Sequence, residues 1–126
     1  MGDCSEQLNM FDGLSMDSDS LMVLGIIKRH GGKERAVSVE RISAETKVAP
    51  RQVREIVKGL IEKHRVRIGS SLRSPNGYYM IQTPEEAEEN EKTLRRLGIS
   101  ILVRAAVLRG LEIEEYLRKV QREIGI

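Results

Sequence analysis

The spacing of apolar residues after Pro50 constrains this chain more than any other feature. Val53, Ile56, Val57, Leu60 and Ile61 fall at i, i+3, i+4, i+7 and i+8, the spacing of a helix with one apolar face. Such a face must be covered, so the segment from about residue 50 to 64 needs partner elements around it. Pro50 sits where a first helical residue tolerates proline, because its missing N–H would have had no partner. Immediately upstream, "SVERISAET" opens with Ser38 as an N-cap and sets Val39 and Ile42 three apart, which predicts a helix of about two turns. "KVA" connects the two helices.

Further upstream, "DSDSLMVLGIIKRHGG" places acids and serines before an apolar run, bases after it, and a glycine pair to stop it. That order predicts a helix over about 18–30, with Leu21, Leu24 and Ile27 toward a core. "GGKERAV" reads as a loop. Residues 1–16 are polar, glycine-bearing and without clear period, and read as a flexible tail.

Beyond His64 the period shortens to two. Val66 and Ile68 alternate with Arg65 and Arg67, and "YYMI" follows as a second run of strand formers. The intervening "GSSLRSPNG" carries Ser-Pro-Asn-Gly, in which Pro sets φ and Gly permits a positive one. A hairpin over about 65–81 is expected. "TPEEAEENEKTLRRLGISILVRAAVLRG" then begins with Thr83, Pro84 and Glu86, a capping box with proline in the first turn. It predicts a long helix to about Leu108, apolar nearly all round from Ile99 onward, so that this half should be buried, another chain being one partner that could cover it. After Gly110, a last helix should carry Ile113, Tyr116, Leu117, Val120 and Ile124 on one face. The fold class expected is mainly α with a small β-hairpin.

Composition narrows the function classes. The chain has 126 residues, enough for one compact domain with a helical extension. Aromatics are 3% and Trp is absent, so the core must be aliphatic and platforms for stacking single-stranded bases are scarce. One cysteine, Cys4, excludes an internal disulfide. No apolar run reaches the roughly 18 residues of a membrane span, and the acidic N-terminus is unlike a signal peptide, so a cytoplasmic location is expected. Residues 1–27 hold five acids and no Lys or Arg, whereas residues 28–75 hold 13 basic and five acidic side chains. A basic block of that kind faces a polyanion, or is the solvated face of a globular protein.

A short helix joined through about three residues to an amphipathic one is the helix-turn-helix arrangement. With the hairpin behind it, "VERISAETKVAPRQVREIVKGLIEKHRVRIGSS" followed by "PNGYYMI" resembles the winged helix-turn-helix DNA-binding domains of bacterial and phage transcription regulators and replication-initiation proteins. The resemblance covers about half the chain and lies in residue types rather than in invariant letters. It implies a winged domain over 17–83 and a helical extension over 84–126. It also implies sequence-specific binding of double-stranded DNA, with the helix over about 50–64 in the major groove and the wing over about 65–81 on the minor groove or backbone.

On that reading Arg51, Gln52 and Arg54 lie in the first turns, where Arg can bind guanine and Gln adenine bidentately. Lys47 and Lys58 suit phosphates. Arg65 and Arg67 on the hairpin, with Arg73 and Asn76 in its loop, suit the minor groove or its phosphates. Gly59 on the exposed face allows close backbone approach or is a tolerated surface glycine. Glu55 accepts from a cytosine amine or pairs with Arg51 one turn earlier, and the pairing is the simpler expectation. Homodimerisation is expected through Ile99, Leu102, Val103, Ala106, Leu117 and Val120, the alternative being an intramolecular helix pair packed on the winged domain.

No enzyme is expected. His30 and His64, the only histidines, each end a helix, where the dipole favours them. With one distant cysteine there is no zinc spacing. "GSS" lacks the glycine that a nucleophile elbow needs, and no phosphate-cradling glycine loop is present. No cofactor or metal is expected. The competing function is a winged-helix protein–protein interaction module without DNA binding. RNA binding is disfavoured by the scarcity of aromatics.

Overall fold

The computed structural model describes residues 16–125. The tail expected over 1–16 lies, apart from Met16, outside those residues, as does Cys4. Among the described residues the protein is mainly helical with one two-stranded antiparallel hairpin. It divides into two compact units, one ending at Glu86 and the other beginning at Ala87.

In the first unit, α1 runs Ser18–His30, α2 Val39–Thr46 and α3 Pro50–Glu62. The Asp17 side chain caps α1 by accepting from the Ser20 N–H at 2.8 Å, and Ser38 caps α2 by accepting from the Arg41 N–H at 3.1 Å. Each satisfies an otherwise orphaned donor of a first turn. The connection between α2 and α3 is locked by hydroxyls. Ser43 Oγ donates to the Val48 carbonyl at 2.6 Å, while Thr46 Oγ1 donates to the Ile42 carbonyl at 2.8 Å and accepts from the Val48 N–H at 3.2 Å. Lys47 ends α2 in the left-handed region, φ 65°. These bonds seat Val48 in the core.

The core is aliphatic, as the composition requires. Val23, Leu24, Ile26 and Ile27 of α1 meet Ile42 of α2 and Val53, Ile56, Val57 and Leu60 of α3. Leu21, expected inside, is exposed, because at about 100° per residue it lies roughly 140° from the centre of the buried face of α1. Ile61 is exposed likewise, on the edge of the α3 stripe. Among the described residues Tyr79 is the one aromatic fully inside.

The hairpin pairs β1, Ile68–Ser71, with β2, Gly77–Met80, in the register Ile68↔Met80 to Ser71↔Gly77. The first strand begins later than the alternation of Arg65 to Ile68 implies. Arg65 turns the chain after α3 with φ 58°, and Arg67 precedes β1, though its carbonyl continues the ladder by accepting from the Ile81 N–H at 3.0 Å. Gly69, Ser70 and Ser71, expected in the loop, are strand residues. The loop is the shorter stretch 72–76, braced by Ser71 Oγ donating to the Arg73 carbonyl at 3.1 Å. On the other side of β2, Val37 and Tyr78 exchange two backbone bonds, 2.9 and 2.8 Å. The expected loop between α1 and α2 thereby supplies a third strand-like contact. It also contains a single 3₁₀ turn, Lys33–Arg35.

The helix α4 runs Pro84–Arg109 and α5 runs Ile113–Ile124. Thr83 Oγ1 accepts from the Glu86 N–H at 3.1 Å, and Glu86 Oε1 accepts from the Gln82 N–H at 2.8 Å. This is the expected capping box, with its return bond displaced by one residue. The expected burial of Ile99–Leu108 does not occur within the second unit. Among the described residues of α4 and α5 only Ala106 is buried. A helix apolar on nearly every side cannot be covered all round by one neighbour of twelve residues.

Candidate nucleic-acid interface

The sequence of α3 determines which side chains can meet a ligand. Val53, Ile56, Val57 and Leu60 take its inner face, so Arg51, Glu55, Lys58 and Glu62 project most directly outward at about 100° per residue. All four are exposed. Arg54 and Gln52 lie on opposite flanks of this arc. Burial pushes the Tyr78 hydroxyl above the ordinary tyrosine pKa, and the positive charge of Arg54 opposes that rise. The Gln52 flank turns toward the start of α1, where Gln52, Glu55 and Gly59 line a groove with Asp17 and Ser20. Gly59 thus borders a groove, with an ordinary helical backbone and nothing within 4 Å of where a Cβ would stand.

Lys47, Arg51, Arg54, Lys58, Arg65, Arg67 and Arg73 are all exposed, as is Asn76 in the hairpin loop. Among the described residues none of these seven cations is held in an ion pair. The expected bridge between Arg51 and Glu55 is not made. Two other cations of the same unit share one carboxylate. Arg41 reaches Glu45 at 3.0 Å and Arg29 reaches it at 3.6 Å, and the Arg41 hydrogen bond holds the Glu45 carboxyl below its usual range. Residues 47–76 hold eight basic and two acidic side chains, so this stretch of the chain carries an excess of positive charge.

Sequence reasoning missed a second groove, between the hairpin loop and the start of α2. His30, Arg35, Ser38, Arg41, Ser74 and Asn76 line it. Nothing in the pattern of α2 marks Arg35 or Arg41 as neighbours of Asn76. Only the pairing of Val37 with Tyr78 brings them together. The hairpin loop also presents Leu72, 91% exposed, an apolar side chain among polar neighbours.

The six residues expected at a homodimer contact separate in the structure. Ala106 is buried, Leu102 and Val120 are half-buried, and Ile99, Val103 and Leu117 are exposed. Among the described residues, no group of three or more His, Cys, Asp and Glu side chains is placed to hold a metal ion, and no helix is long and apolar enough to cross a membrane. Comparison with protein-family models, with curated proteins and with solved structures gives no match.

Proposed function

We propose that this chain binds double-stranded DNA in the manner of a winged helix-turn-helix domain, as a small transcription regulator or replication-associated factor of the cytoplasm, and that it is not an enzyme. The helix α3 enters the major groove, where Arg51 and Arg54 read base edges and Lys47 and Lys58 hold phosphates. Arg65, Arg67, Arg73 and Asn76 rest on the backbone or minor groove. The observation that carries this reading is that the cations of α3, Arg51, Arg54 and Lys58, and those of the hairpin segment, Arg65, Arg67 and Arg73, are all exposed. Their lack of carboxylate partners supports the same reading, because phosphates then displace only water and counterions.

The test is an electrophoretic shift on a random duplex pool with selection, at two salt concentrations. Affinity should fall steeply with salt, and Arg54→Ala should cost about 1–3 kcal/mol at one or two base positions. Arg73→Ala should weaken all sequences about equally. Absence of any shift at low salt would overturn the proposal. The exposed Leu72 favours a second reading, a protein-interaction module without DNA binding that docks through the hairpin loop; Leu72→Ser would then abolish partner capture, and the wild-type chain would give no shift on duplex DNA.

A further inference from the structure

The structure of α4 exposes a heptad seam. Leu94, Leu97, Ile101 and Leu108 succeed one another at spacings of three, four and seven residues, the a, d, a and a positions of a repeat whose intervening d position is Arg104. Their exposures are 67, 56, 49 and 87%. They lie within an arc of about 60° on the helix. The arc covered within the unit is a neighbouring one, that of Leu102, Ala105 and Ala106. The seam is therefore a separate stripe, left uncovered by its own unit, about 21 Å from end to end at 1.5 Å per residue.

We infer that a second copy of this chain covers the seam, its α4 running antiparallel. Two features of α4 select that occupant and that direction. Its first two turns are acidic, with Glu85, Glu86, Glu88, Glu89 and Glu91, and remain so in balance although Glu88 and Glu91 are bridged along the helix by Lys92 and Arg95, while its far half carries Arg104 and Arg109 and no acid after Glu91. Antiparallel copies bring the acidic end of each helix to the basic end of the other, whereas parallel copies set like charges side by side. Arg104 decides the direction again: in parallel copies it would meet itself at a d position. In the antiparallel register that sets Leu97 of one copy against Ile101 of the other, Arg104 lies along Leu94, where its methylenes can pack while the guanidinium stays in water. Asn90 then falls beside Leu108. The seam belongs to the unit that begins at Ala87, so this inference does not depend on the DNA reading.

The experiment uses the full chain without DNA. Sedimentation across the micromolar range should show a reversible dimer, and Leu97→Glu with Ile101→Glu should raise its dissociation constant about 100-fold or more. Both positions are exposed, so the variant should keep the wild-type helical circular dichroism. Arg104→Leu should tighten the dimer. In a Cys4→Ser background, mixing Leu94→Cys chains with Arg104→Cys chains should give the mixed disulfide under mild oxidation. A wild-type chain that stays monomeric, or a double-Glu variant that dimerises as well as wild type, would overturn the inference. Efficient crosslinking of Leu94→Cys to itself would overturn the antiparallel arrangement. DNA affinity for a single half-site is measured in parallel, so a failed dimer is distinguishable from a failed DNA reading.

Discussion

Gly77 joins the hairpin to the rest of the first unit at its tightest point, and replacing it with alanine puts the architecture to a quantitative test. Its φ is 137°, a conformation that side-chain-bearing residues rarely adopt. A Cβ there would overlap the Val37 carbonyl and stand 2.7 Å from the Ser38 nitrogen. Both are backbone atoms, so no side chain can swing aside. The strained φ costs about 1–3 kcal/mol, and the shift forced on a packed backbone about 1–3 kcal/mol more. Moving Val37 also strains its two bonds to Tyr78. Gly77→Ala should therefore destabilise the protein by about 2–6 kcal/mol, a large part of the roughly 5–15 kcal/mol available to a typical domain.

Gly59→Ala is the matched control. It places the same methyl in open space on a regular helix and should stabilise by about 0.5–1 kcal/mol. Urea denaturation followed by far-ultraviolet circular dichroism measures both. A Gly77→Ala midpoint within error of wild type would refute the close approach of residue 77 to Val37, and with it the seating of the hairpin against the α1–α2 connection.

Lys47→Gly should relieve the left-handed residue at the end of α2 and raise stability by about 1 kcal/mol, while lowering DNA affinity on all sequences alike; a chain that gains stability and loses no affinity would remove Lys47 from the interface. Tyr78 provides the pH dependence. Its folded pKa lies above its unfolded value, so the stability it contributes is complete below about pH 10 and is lost as the pH rises past it. Arg54→Ala should raise the Tyr78 pKa further, read by titrating its ring resonances, and an unchanged value would separate α3 from the hairpin.

Much of the first unit was legible in the chain, and for a local reason. Asp17, Ser38, Pro50 and Thr83 act on backbone groups within one turn, and the 3.6-residue spacing of Val53, Ile56, Val57 and Leu60 needs no knowledge of what covers it. Those signals placed α1, α2, α3 and the start of α4 to within a residue or so. The strand boundaries were less legible. Arg65 and Val66 alternate like a strand, yet the chain must first reverse direction after α3, and Arg65 takes the left-handed conformation that does so.

Which cations share a surface depends on non-local pairing. Arg51, Gln52 and Arg54 are polar residues of one pattern, but the angular position of Gln52 gains meaning only once the start of α1 lies beside it. The joining of Val37 to Tyr78, and the groove it creates between Arg41 and Asn76, links residues some 40 positions apart, and no window of sequence contains both. The far half of α4 shows the converse. Its residues were visibly apolar all round, but burial is a property of neighbours, and within its own unit the neighbours cover one arc and leave the line of Leu94, Leu97, Ile101 and Leu108 exposed.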